Sequence, residues 1–448
     1  MQYDFGNIRE GLSADVIVVG GGPAGMCAAI AAAREGVSVL LVEQSGSCGG
    51  MATKGMVGPF MTCYDSKGEN MIIRGLFEEI VNRMVAKGFA IHPAEVRQGT
   101  GFTSWIKVGH DHVTPFEPEG LKLIIDEMLT EAGVKIMYHT NFLRCVMENN
   151  TITGILVSSK RGLERIDGKV IIDCTGDGDV AHLAGAPMME KKEELQPMSM
   201  CFLLDGVDLT TDLMKDCIHH NGLGGKPSEN KVIREYLLTR TDKLGQFGGP
   251  WFNTLLRGNS VAVNMTRAAG DSTDRESQTQ AELKMREDMF TAVDLLKEHF
   301  PEFKDAHIVS TPIMVGVRES RHILGVQTAL AEEMLAGKRY PCEVAHCAHP
   351  MDIHSAKSSA QKLIRFESAA FVPHGALVPQ GSKNLVVAGR CLCADQGAYA
   401  SIRVQATLMS IGEAAGLMAA LHCKTGADMA ALPEKELAEQ FAQRNFVL

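Results

Sequence analysis

Short unbroken apolar runs bounded by glycine recur along the chain and read as buried parallel strands. They are residues 15–20 (DVIVVG), 38–42, 169–173 (KVIID) and 384–388 (NLVVA). Residues 26–34 are Ala-rich and helix-favouring, so the first two runs are joined by a helix. Residues 134–138 and 152–157 read as hairpin strands around a turn at Glu148, Asn149 and Asn150. Residues 271–300 carry helical spacing, with Leu283, Met289, Val293 and Leu296 apolar and charges between them. From Ser401 onward, SIRVQATLMSIGEAAGLMAAL predicts one long buried helix, whose Gly412, Ala414, Ala415 and Gly416 permit close packing.

With 448 residues, 45% apolar and 22% charged, the chain is long enough for two or three domains of ordinary globular composition. A net charge of −10 argues against a nucleic-acid surface. No apolar run reaches the ~20 residues of a membrane helix, and residues 1–13 lack the apolar region of a secretory signal. The 12 cysteines are scattered without a C-x-x-C pair, which disfavours iron–sulfur clusters and paired zinc ligands. They read as reduced, buried thiols of a cytoplasmic protein, with Cys391 and Cys393 as an alternative redox pair.

The first strand runs into Gly20-Gly21-Gly22-Pro23-Ala24-Gly25, a G-x-G-x-x-G turn, and the second ends at Glu43. In such a unit Gly20 makes the turn, Gly22 admits a pyrophosphate and Gly25 lets helix and strand approach. The helix N-terminus, at Pro23 and Ala24, offers N–H groups to phosphate, and the acid accepts from ribose hydroxyls. This points to a dinucleotide without choosing NAD or FAD. No second convincing G-x-G-x-x-G follows, so a built-in NAD(P)H domain is not expected.

The glycine-rich loop of residues 44–50 (QSGSCGG), the turn Thr175-Gly176-Asp177-Gly178-Asp179 and the Gly389-Arg390 turn ahead of the C-terminal helix resemble the glutathione-reductase-like FAD superfamily. Together with residues 116–134, 316–323 (GVRESRHI) and 388–391 (AGRC), they resemble the FAD-dependent oxidoreductase family, relatives of fumarate reductase flavoproteins and thiazole synthases, over about residues 12–423. The resemblance implies an α/β fold: a discontinuous Rossmann-type FAD-binding domain (12–60, 117–190, 376–425), an inserted α+β substrate domain (61–116, 191–375) and a tail (426–448). It further implies FAD contacts from Gln44, Gly49, Gly50 and Met51, from Phe142 and Leu143 beside the adenine, from Thr175, Gly176, Asp177, Gly389 and Arg390, and from Ile402, Arg403 and Val404 at the helix start.

Catalytic candidates are His354, Asp352, Arg318, His374 and Arg403. Arg318 and Arg321, three apart, would share a helix face and clamp a carboxylate, or else make structural ion pairs. His349, Asp352 and His354 suit acid–base work, with metal ligation (including His346) or a plain structural loop as alternatives. Arg267 either contacts an anion or braces the fold, and the His110-Asp111-His112 stretch reads as surface. The expected activity is an FAD-dependent dehydrogenase or reductase moving a hydride between flavin N5 and a small polar or carboxylated substrate. Alternatives are an electron-transfer subunit and a thiazole-synthase-like enzyme using the dinucleotide. Partners are a small-molecule substrate and an external electron donor or acceptor. No membrane or nucleic acid is expected, and a homo-oligomer is left open.

Overall fold

A computed structural model describes residues 8–61, 63–96, 112–190, 194–219, 230–257, 260–358 and 360–444. The apolar runs form a parallel sheet in the order Lys135–Met137, Val39–Val42, Arg9–Val19, Gly162–Asp173, Leu385–Val387. On the edge away from Arg9–Val19, the long strand Gly162–Asp173 serves two partners. Its second half pairs with Leu385–Val387, while its first half pairs antiparallel with Thr151–Ser159, which in turn pairs with Asn141–Glu148. Val16, Ile17 and Val18 have no solvent exposure, as expected for strands covered on both faces.

Two expectations are corrected here. The hairpin is Asn141–Glu148 with Thr151–Ser159; residues 135–137 instead join the parallel sheet beside Val39–Val42. The helix Pro118–Glu131 immediately precedes them, and such a crossover delivers a strand parallel to its neighbour. The C-terminal helix is two helices, Gln396–Ile402 and Gln405–Thr425, broken at Arg403 and Val404. Val404 is extended, so the second helix starts afresh with its first N–H groups free of any side-chain cap.

The helices Pro23–Arg34 and Gln405–Thr425 lie against each other, because small residues let their backbones meet. A Cβ on Gly412 would stand 2.0 Å from the Ala24 carbonyl oxygen, and one on Gly416 would stand 2.4 Å from that of Ala28. The second of these helices has the length and apolar composition to cross a membrane, but 89% of its most apolar window is buried in the protein. It is a core helix by position.

A second hydrophobic core surrounds a four-stranded antiparallel sheet, ordered His307–Ser310, Cys201–Asp205, Val261–Thr266, Phe247–Thr254. The helix Arg275–His299 packs on it through Met285, Met289, Ala292 and Leu296, while Leu283 is exposed. Two short ribbons, Glu343–Cys347 with Ala370–Pro373 and Met351–His354 with Gln361–Ile364, pack on the first core through Val344, Met351 and Val372.

Candidate active site

The carboxyl ends of the parallel strands open onto one cavity of about 490 Å³. Val19, Val42, Cys174 and Ala388 line it, each at or just past a strand end. This is where open α/β sheets bind ligands, since the turns leaving the strands diverge there. Gly20 has φ +100°, and a Cβ would lie 2.5 Å from the Cys174 carbonyl oxygen, so the first turn requires glycine. A Cβ on Gly25 would lie 1.8 Å from the Gly20 oxygen.

Glu43 is the anionic corner of this cradle. Its carboxylate accepts from the Gly21 N–H at 2.9 Å, from Ser45 and from Lys54 Nζ at 2.7 Å. Burial pushes its pKa up, but Lys54 and Ser45 outweigh that and hold it below the ordinary glutamate value. Lys54 is also on the cavity wall, a residue that motif reading passed over despite its place just after the glycine loop.

The opposite wall comes from later segments of the chain, ending at Arg403. Asp352 sits at the centre: it accepts from His354 Nε2 at 2.8 Å, from Gln361 and from Arg403 Nη2 at 3.1 Å. Burial alone would raise the Asp352 pKa, but the His354 hydrogen bond and the Arg403 charge carry it well below the ordinary range. His354 is pushed down to about 3 by burial and by the Arg318 guanidinium. The pair is therefore carboxylate and neutral imidazole; Nε2–H donates, which leaves Nδ1 as an acceptor. Arg318, Arg267 and Arg403 all line the cavity around this one carboxylate. His349, also on the wall, is held below its usual pKa by burial, and its Nδ1 lies 2.8 Å from the Pro350 oxygen.

Arg318 and Arg321 do not share a helix face. Residues 317–322 form no helix, so a spacing of three does not put the two side chains together. Arg318 enters the cavity and donates to the Pro197 oxygen, whereas Arg321 pairs with Asp179. Ser320, between them, donates to Asp177.

Gly20, Gly22, Pro23, Ala24, Glu43, Gln44, Gly50, Met51, Phe142, Thr175, Gly176, Gly389, Arg390, Arg403 and Val404 line the cavity, as do Arg318, Asp352 and His354. Six others do not. Leu143 points outward on its strand, 43% exposed. Ile402 is buried in the core, because the helix breaks after it and turns it inward. Asp177 spends its carboxylate on Arg390 and Ser320 and so ties the turn to its neighbours. Gly25 is helix–turn packing, and Gly49 holds the loop by donating to the Gly21 oxygen. His374 faces Glu434 at 3.8 Å on another side of the molecule. His346 is likewise off the wall, near Glu343 and edge-on to Phe371. Of the 110–112 stretch, residues 110 and 111 lie outside the described residues; His112 is buried against Pro93 and Tyr64, not at the surface.

Pattern reading missed Trp251, Asn253, Asn264, Gln361 and Gln405 on the wall. Trp251 had a weak signal, being one of two tryptophans in the chain.

The residues present suit a flavin dinucleotide. The helix Pro23–Arg34 starts without a side-chain cap, and a Cβ on Gly22 would meet nothing within 4 Å, so backbone faces open cavity. Arg390 Nη1, Arg403 Nε and the Gln405 side-chain oxygen are buried without hydrogen-bond partners among the described residues, although their side chains line the cavity. Such groups are costly unless a ligand satisfies them.

Over 199 residues, 44% of this chain, it is 27% identical to digeranylgeranylglycerophospholipid reductase 1 of Methanococcoides burtonii, spanning 45% of that protein. Over 206 residues, 43% of this chain, it is 27% identical to thiamine thiazole synthase of Aeropyrum pernix, spanning 66% of that protein. A solved geranylgeranyl bacteriochlorophyll reductase-like protein of Thermoplasma acidophilum aligns over 96% of this chain and 83% of its own, at 13% identity and a TM-score of 0.47. Residues 15–441 match the FAD dependent oxidoreductase family. The chain belongs to that family of FAD dependent oxidoreductases.

Proposed function

We propose that the protein is a dehydrogenase or reductase that moves a hydride between FAD and a small polar or carboxylated substrate. FAD, when bound, supplies the hydride acceptor or donor at N5. In this reading the turns at Gly20–Ala24 and Gly389–Arg390 hold its phosphates. Glu43 holds the ribose, residues 140–142 flank the adenine, and Arg403–Val404 meet the ring system. The observation that carries the reading is the Asp352–His354–Arg403 group, set on the wall of the same cavity as the strand-end turns.

Each side chain then has a physical task. Asp352 fixes the His354 tautomer, so that Nδ1 receives a proton from the substrate or returns one. Arg318 and Arg403 orient a substrate carboxylate by charge-assisted hydrogen bonds. Burial and the field of Arg318 and Arg267 suppress His354 protonation. An anionic substrate on these arginines offsets that field, so His354 gains basicity when the site is filled.

The test is anaerobic titration of the yellow, FAD-loaded protein with a panel of hydroxy acids, amino acids and sugars. Bleaching of the flavin by one of them, lost in His354→Gln with FAD content unchanged, is the expected result. A protein that takes up no FAD, or bleaching that survives His354→Gln, would overturn it.

A further inference from the structure

Behind Trp251 lies a second chamber of about 290 Å³ that shares Trp251, Arg267, His354 and Gln361 with the first cavity. Arg267 is the partition. Its guanidinium lies over the Trp251 ring, 5.4 Å from the centroid, and Nη1 donates to the Asn264 side chain and the Thr266 carbonyl. Nη2 is buried and has no hydrogen-bond partner among the described residues, on a side chain only 7% exposed. It lies over Gly248, a wall residue of the second chamber: a Cβ there would come within 2.4 Å of Nη2. The sequence thus keeps the chamber wall bare where the unsatisfied donor sits.

Arg234 lines the same chamber, with its Nη1 donating to the Gly249 carbonyl. The described lining holds two guanidinium groups and no Asp or Glu. A buried guanidinium donor without a hydrogen-bond partner among the described residues, facing a half-enclosed space, favours an anion from outside. Guanidinium chemistry selects an oxyanion with spread charge, carboxylate or phosphate, over a halide.

We propose that this chamber is a subsite for an oxyanion at the far end of the substrate, bound by Arg267 Nη2 with Arg234 flanking. Resting on the functional reading above, it makes the substrate two-ended. The reacting carbon lies on the His354 side, and a carboxylate or phosphate reaches past Trp251. Neutral substrates of the same length are then poor ones.

The test is calorimetric titration of oxidised, FAD-loaded protein with glutarate and, separately, with inorganic phosphate. Saturable one-to-one binding of at least one is expected, and the stronger of the two names the oxyanion. Arg267→Gln should weaken it at least tenfold. Ser358→Glu, at an exposed position on the chamber rim, should do the same by placing a carboxylate beside the arginines, with FAD content and melting temperature unchanged. Binding of neither anion, or binding that both variants leave intact, would overturn the subsite. No turnover is involved. Anion binding without flavin reduction by any substrate would therefore sink the dehydrogenase reading alone, and reduction without anion binding would sink the subsite alone.

Discussion

The two walls of the cavity are built by different means. The strand-end wall is mostly backbone: Gly20, Gly22 and Gly389 bring main chain to the cavity, and the Glu43–Lys54 pair and Arg390 add charge. The facing wall is mostly side chain. Three guanidinium groups and a carboxylate–imidazole pair arrive on separate segments between residues 267 and 403. A backbone wall recognises what every dinucleotide shares; a side-chain wall discriminates and does chemistry. Changes on the first should remove cofactor or fold, and changes on the second should leave a yellow but inert protein.

The strongest break is expected from Gly25→Val, since even a Cβ would overlap the Gly20 oxygen. The loss should exceed about 4 kcal/mol, seen as failure to recover soluble, flavin-containing protein. On the facing wall, Asp352→Asn should keep FAD and fold while slowing substrate-driven flavin reduction by about 10²–10⁴-fold, read by stopped-flow absorbance. Within the cradle, Lys54→Met strands a buried carboxylate and should cost about 3 kcal/mol, with weaker FAD retention on dilution.

Away from both walls, Glu413 accepts from the Leu76 N–H in the core, and burial raises its pKa to about 7 from 4.5. The unfolded chain releases this proton at lower pH than the folded one. Stability should therefore fall as pH rises from about 4.5 to 7 and stay reduced above. Glu413→Gln should remove that loss, raising stability at pH 8 by about 3 kcal/mol and leaving pH 4 nearly unchanged, as read from urea midpoints. The smallest effect belongs to Leu143→Ser: the side chain is exposed, so stability and FAD content should shift by less than about 0.5 kcal/mol.

The cradle was legible because its signals are local. Strand, glycine turn, helix and acid follow one another within residues 15–43, and each constrains its neighbours through hydrogen bonds and sterics at short range. Legibility failed wherever a side chain's direction mattered. Leu143 and Phe142 are adjacent, yet strand alternation sends one to solvent and the other to the cavity. Ile402 and Arg403 part company because the helix breaks between them and Gln405. His374 looked equal to His354 in residue type, but a ribbon and a short turn carry it towards Glu434.

By itself, the sequence determined that strands 15–20, 38–42, 169–173 and 384–388 are buried and parallel, and that the first ends in a tight glycine turn at Gly20. Those outcomes follow from hydrophobic period and glycine sterics, which act over a few residues. Only the tertiary structure decided that Asp352, His354, Gln361 and Arg403 meet, and that Arg267 separates two chambers. Desolvation and charge depend on which distant segments share a volume, and no spacing along the chain records that.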